Sequence, residues 1–321
     1  MQTAHTTIDA SSQDGALSVQ RESSIVSRQV WEGRSVYVKR YLEGDWFQST
    51  EVIRERVRRE AELVGRLAGL AGMTGRLGVV KVVDVCPDRA ELVTEEVPGR
   101  ILHDLLAGAP GRSADVGSLR ALYLAGHWLQ IFQTLPIQDG DSQSICKDAT
   151  DLIEYCDVRF QRLRQLGYDW PNPTVRSKIL NCLESLIAAA PTDDRNRVWC
   201  HCDYDPNNML WDGQVLTPID FPMARLERPL LDVSYFLHRI GMLRIYFPWR
   251  AWPTAAWKRA FLRGYGRPDA EQSPLHRALS IRHLICRLVT YVRRPPRNFK
   301  QRLHNAWVRK CVRWAMMQKV F

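Results

Sequence analysis

From residue 272 to the end of the 321-residue chain there is no Asp or Glu, although the same stretch carries 12 Arg and Lys. The whole chain has a formal charge of +10, so everything before that stretch is slightly acidic. The positive charge therefore belongs to the carboxyl-terminal segment and not to the surface at large. No apolar run approaches the roughly eighteen residues that a membrane-spanning helix requires. The first residues lack a basic stretch followed by an apolar one, so a secretory leader is not expected. No zinc-finger or RNA-binding motif occurs, so nucleic acid is not an expected partner. The eight cysteines, at 86, 146, 156, 182, 200, 202, 286 and 311, are scattered through apolar patterns, as suits reduced thiols in an intracellular protein. Cys200-His201-Cys202 invites a zinc reading, but no second ligand pair follows at a structural-zinc spacing.

What is present is an ordinary globular composition, 45% hydrophobic and 25% charged, long enough for one large domain or two lobes. Residues 1–23 are rich in Ser, Thr, Gln and Asp, lack apolar periodicity and are expected to be disordered. Ile25 to Trp31 and Ser35 to Tyr41 read as two strands joined at Glu32-Gly33-Arg34, with Lys39 late in the second. Glu51 to Leu70 repeats apolar residues at helical spacing and carries Glu60. Gly78 to Val85 and Arg89 to Thr94 complete a five-stranded antiparallel lobe over 24–97. The rest, 98–321, is expected to be mostly helical, with helical patterns over 119–135, 148–166, 174–190, 274–291 and 298–319.

The densest polar stretch is His201 to Asp220, HCDYDPNNMLWDGQVLTPID. Asp203 and Asn208 flank a proline-containing turn. An Asp212-Gly213 turn then separates two short strand patterns, the second delivering Asp220. Such a hairpin brings a carboxylate, an amide and a second carboxylate around one small volume. That arrangement suits a magnesium ion held against a polyphosphate beside an acceptor hydroxyl. A polar loop followed by an ordinary hairpin is the alternative, since Asp and Asn favour turns.

This stretch resembles the catalytic segment of the aminoglycoside phosphotransferase and choline kinase-like family, which shares the architecture of protein kinases. The family pattern is a histidine, one residue, the catalytic aspartate, four residues and an asparagine, then an aspartate after a strand. His201, Asp203, Asn208 and Asp220 match it. The resemblance implies an α+β, bilobal, protein-kinase-like fold and an ATP-dependent kinase transferring the γ-phosphate to a hydroxyl. Within it Asp203 is the catalytic base, His201 shares its segment, and Asn208 and Asp220 ligate Mg2+. Cys202 stands where glycine is usual, and Pro222 replaces the glycine after Asp220-Phe221; neither change removes a ligand.

From the residues alone, Lys39 is as readily an edge-strand charge and Glu60 a member of an exposed helix face. The resemblance, which expects such a lysine and glutamate, favours an ion pair on the ATP phosphates. Glu95-Glu96-Val97-Pro98-Gly99 resembles the interlobe hinge, where backbone groups around Glu95 and Val97 would hold adenine. No GxGxxG occurs, which argues against a eukaryotic-type protein kinase more than against phosphoryl transfer; the phosphate-covering turn is expected just before Ser24. Asp232 matches a family aspartate that anchors the catalytic loop, and it would equally serve as a helix N-cap. The resemblance covers approximately 24–265. An atypical protein kinase and a non-catalytic kinase-fold binding protein are the competing readings.

A choline-like acceptor calls for an aromatic cage with carboxylates, and an aminoglycoside for an acidic pocket. The acid-free tail suits an anionic acceptor better, such as an acidic or phosphorylated sugar of an envelope glycolipid, for instance of the lipopolysaccharide core. The expected acceptor is therefore a hydroxyl-bearing small molecule or glycolipid, met in the cytoplasm or at the inner face of the membrane. In the last helical pattern Trp307, Cys311, Trp314 and Ala315 lie near one side among many cations. Either this stripe packs on the large lobe, the favoured reading, or the segment makes peripheral membrane contact.

Overall fold

The computed structural model describes residues 18–20, 23–44, 49–71, 75–108, 111, 113–139, 141 and 152–321. The strands are β1 (Ser18–Gln20), β2 (Ser24–Trp31), β3 (Arg34–Tyr41), β4 (Val82–Cys86), β5 (Glu91–Glu95), β6 (Arg100–Ile101), β7 (Val198–Cys200), β8 (Met209–Trp211), β9 (Leu216–Pro218) and β10 (Arg225–Glu227). The helices are α1 (Thr50–Ala71), α2 (Leu102–Gly108), α3 (Val116–Gln133), α4 (Leu152–Gln165), α5 (Pro173–Ala188), α6 (Thr192–Arg195), α7 (Leu230–Tyr246), α8 (Thr254–Tyr265), α9 (Pro274–Arg293) and α10 (Phe299–Val320). The fold is bilobal and α+β, as expected, with a small antiparallel-sheet unit and a larger helical one. The first unit comprises residues 1–104 and 207–224, and the second 105–206 and 225–321. The hairpin after the catalytic loop thus belongs with the sheet unit, although it lies far beyond the boundary expected at residue 97. The expected disorder of residues 1–17, two residues of the covering turn (21–22) and the start of the 148–166 helix lie outside the described residues. Ser18–Gln20, inside the stretch expected to lack structure, form a strand on β2.

The five strands of the sheet unit run in the order β1-β2-β3-β5-β4, each neighbouring pair antiparallel. Glu32 and Gly33 both take positive φ, 48° and 77°, the geometry a two-residue hairpin turn needs to match strand twist. Alternation on β3 sends Val36 and Val38 to one face with Val93. Tyr41 goes to the other, where it packs with Leu92 and with Ile53 and Val57 of α1. Lys39 shares the Tyr41 face by the same period of two. It pairs in register with Val26 on one side and Leu92 on the other, so its strand is central and not an edge. Arg100 and Ile101 of β6 pair with Trp211 and Leu210 of β8, and β8 pairs with β9.

In the helical unit, α3 and α8 approach closely at two glycines. A Cβ on Gly126 would meet the Phe261 carbonyl oxygen at 2.0 Å, and one on Gly264 the Tyr123 carbonyl oxygen at 1.9 Å. Asp115, Asn172, Ser273 and Asn298 accept backbone N–H groups at the starts of α3, α5, α9 and α10, as N-caps do. Buried Asp194 on α6 accepts from Arg267 Nη1 and Ser273 Oγ, both at 2.6 Å, tying α6 to the end of α8 and the start of α9. Among the described residues no helix is long and apolar enough to cross a membrane.

Candidate active site

Four polar groups of the sheet unit converge around Glu60. Lys39 Nζ bonds the Asp220 carboxylate and lies 3.8 Å from Glu60 Oε1. The Tyr41 hydroxyl donates to Glu60 Oε2, and the Phe221 backbone N–H donates to Glu60 Oε1 at 2.9 Å. Glu60 is buried, so it is not a member of an exposed helix face. Burial pushes its carboxyl up, while the Lys39 ammonium pulls it down. Burial and then the Glu60 carboxylate push the Tyr41 phenol well up, so it stays a donor. The Lys39 ammonium also sits over the Tyr41 ring, 4.5 Å from its centroid.

The hairpin supplies the remaining part. Ile219 N–H donates to the Asn208 carbonyl at 2.9 Å, which holds Asn208 level with the residue just before Asp220. Asp212 Oδ1 closes the turn by accepting from Gln214 and Val215 N–H, each at 2.7 Å. Asp220 has φ 73°, a left-handed conformation that costs a non-glycine residue about 1–2 kcal/mol. The Lys39 ammonium and the Glu60 contact to Phe221 hold it there. Pro222, the departure from the family's glycine, leaves this geometry in place: its carbonyl accepts from Arg56 Nη1 at 2.8 Å.

In the helical unit the loop that begins at His201 is held through its backbone. His201 N–H donates to Asp232 Oδ2 at 2.6 Å and Cys202 N–H to Asp232 Oδ1 at 2.9 Å. Asp232 lies in the first turn of α7, whose N-cap position is Pro229, so it anchors the loop and is not the cap. Burial pushes its carboxyl up to about 7, against the opposing pull of the two N–H donors. Cys202, where the family has glycine, takes φ 63°. The glycine preference is thus a backbone preference, met here by a residue that must be held in place. His201 is fully buried with its ring edge-on to Tyr204, centroids 5.7 Å apart.

Asp203 is half-buried, between a buried His201 and the buried run Tyr204 to Pro206. The Tyr204 hydroxyl donates to the Ala125 carbonyl at 2.7 Å, and buried Asp205 pairs with buried Arg239 of α7. Burial, then the Asp203 and Asp205 carboxylates, push the Tyr235 phenol up.

At the expected hinge, Glu95 and Glu96 N–H groups donate to the Lys81 and Ser35 carbonyls at 2.9 and 3.0 Å. Their carboxylates pair with Arg34, Lys81 and Arg28. The Glu95 and Glu96 N–H groups are thus engaged with neighbouring carbonyls. Also in the helical unit, a cavity of about 150 Å3 is lined by Tyr155, Arg195, Arg197, Arg228 and Arg282, with Glu227 the acid among them. The Arg282 guanidinium lies over the Tyr155 ring, 4.3 Å from its centroid.

Sequence reasoning missed Tyr41, Arg56 and Arg239. Tyr41 was within reach, because it stands two residues beyond Lys39 on one strand face. Arg56 and Arg239 meet partners far away in sequence, and no local pattern announces them.

A small antiparallel sheet carrying a lysine–glutamate pair, with a helical unit that anchors a His-x-Asp loop by a buried aspartate, defines the protein-kinase-like class of fold. Within that class, the phosphotransferase enzyme family, APH, matches residues 20–277, and the chain belongs to this family. Membership supports phosphotransferase activity toward a small-molecule hydroxyl. Solved structures share the fold at low identity. A choline/ethanolamine kinase family protein from Mesorhizobium loti aligns with TM-score 0.61 at 14% identity, covering 97% of this chain and 92% of that one. A thermostable mutant of aminoglycoside phosphotransferase APH(4)-Ia, bound to AMP-PNP and hygromycin B, gives 0.63 at 17%, covering 95% and 94%. An ethanolamine kinase from Plasmodium vivax gives 0.59 at 12%, covering 95% and 84%. No curated protein matches the chain.

Proposed function

We propose that the chain is an ATP- and magnesium-dependent kinase that phosphorylates a hydroxyl of a small molecule or glycolipid sugar, with Asp203 as the base. The cluster of Lys39, Glu60 and Asp220 carries this reading, because a buried ion pair is costly to keep unless it serves a further purpose. Lys39, oriented by Glu60, would contact the ATP phosphates, and the hinge backbone from Glu95 to Val97 would hold the adenine. Asn208 and Asp220 offer hard oxygen donors of the kind magnesium takes, on a hairpin that fixes their register. Bound there, the ion would neutralise charge on the phosphates. The acceptor oxygen attacks the γ-phosphorus in line, and its proton passes to Asp203. The bond from that phosphorus to the bridging oxygen breaks, releasing ADP.

The arginine-lined cavity and the acid-free carboxyl-terminal segment both favour an anionic acceptor over a polycationic one. ATP supply places the reaction in the cytoplasm or at the inner membrane face. A protein substrate fits poorly: β10 ends at Glu227 and α7 begins at Leu230, leaving no length for an activation segment or peptide platform. The test is transfer from γ-labelled ATP to a fractionated metabolite and glycolipid extract, comparing wild type with Asp203→Asn, each with and without magnesium. A labelled product formed only by wild type with magnesium is expected. No product and no ATP binding would leave a kinase-shaped interaction protein.

A further inference from the structure

Helix α10 has two unlike faces. Asn305, Val308, Val312 and Met316 are buried, and Arg277 Nε donates to the Lys319 carbonyl at 2.7 Å, so the helix is fastened to the body along its length. On the other face Phe299, Leu303, Trp307, Trp314 and Phe321 are 71, 56, 42, 66 and 67% exposed. Projected at 3.6 residues per turn, these five side chains fall within an arc of roughly 80°, opposite the buried one. The stripe expected to pack on the large lobe is therefore not the packed face, and the tryptophans point outward. Trp307 is seated by its indole N–H, which donates to the Ile245 carbonyl at 2.9 Å. The loop that follows α7 exposes Trp249 by 73%.

Single exposed apolar residues need no explanation, but an aligned aromatic stripe of this kind marks an interaction surface. Exposed Lys300, Arg302, Lys310 and Arg313 lie within or beside the stripe, and no acid occurs from residue 272 onward. A second copy of the chain would bring like charges together on this face, whereas an anionic bilayer satisfies both the cations and the aromatic rings. We propose that α10 is a preformed docking face for an anionic lipid surface, lying in the plane of the interface. The assignment does not depend on the transfer reaction and is tested without nucleotide.

The measurement is co-flotation of the full chain with phosphatidylcholine vesicles, with and without admixed phosphatidylglycerol, at low and high salt. Binding only to the anionic vesicles, weakened by salt, is expected. The triple variant Phe299→Ala/Trp314→Ala/Phe321→Ala should lower the affinity at least about tenfold. Lys310→Glu should lower it about fivefold or more. Both variants should keep the wild-type melting temperature, since the altered side chains are exposed, and Trp307 is left intact to preserve its bond to Ile245. Failure of wild type to float, or flotation that survives these variants, overturns the proposal. So does a concentration-dependent dimer that the triple variant abolishes without any lipid binding.

Discussion

The two halves of the proposed catalytic machinery are held by different physical means. In the sheet unit, Lys39, Glu60, Tyr41 and Asp220 secure one another side chain to side chain, so each charge depends on the next. In the helical unit, the loop carrying Asp203 is gripped by its backbone, through the Asp232 carboxylate on the His201 and Cys202 N–H groups, leaving the Asp203 side chain uncommitted to that anchor. The first arrangement suits a group that grips a ligand's charge, and the second suits a group whose side chain must act. Nucleotide affinity and turnover should therefore respond to different substitutions.

Asp203→Asn should cut turnover by about 10²–10⁴-fold while leaving nucleotide affinity within a few-fold of wild type. Lys39→Ala should instead weaken nucleotide binding. Calorimetric titration beside a single-turnover transfer assay separates the two, and matched losses in both variants would dissolve the contrast. Arg239→Met should destabilise the helical unit by about 3–5 kcal/mol in denaturant unfolding, because it removes the cation paired with the buried Asp205 carboxylate. Adding Asp205→Leu should restore much of that loss.

Asp232 offers a sharper test of the backbone grip. Its carboxyl is pushed up to about 7 in the fold, so the folded state holds the proton more tightly than the unfolded chain. Its contribution to stability is complete below the ordinary carboxylate range and is lost as pH rises through about 7. Thermal melts from pH 5 to 8 should show wild type losing stability relative to Asp232→Asn. The smallest effect concerns Cys202, whose left-handed backbone should make Cys202→Gly neutral to about 1 kcal/mol stabilising, measured by chemical unfolding.

Much of this was legible in the sequence for physical reasons. Period-two alternation marked β2 and β3, and helical spacing marked α3, α5, α9 and α10. The dense polar run at His201 to Asp220 announced its own hairpin. What could not be read depended on distance along the chain. The centrality of β3 rests on β5 pairing across more than fifty residues, so Lys39 was equally an edge charge until that register was seen. The carboxylate of Asp232 reaches back thirty-one residues to the His201 N–H, and a local view finds only a possible N-cap. For α10, amphipathicity showed that one side must be covered, but the outward side was set by Asn305, Val308, Val312 and Met316, not by the aromatics.

The link from β10 to α7 consists of Arg228 and Pro229 alone. In kinases governed by covalent modification, a long segment at this point folds in or out and so decides whether the catalytic groups are in working order. Two residues cannot make that movement, and the carboxylate that grips the catalytic loop stands only three residues further on. So short a link leaves no room at this point for a switch of that kind.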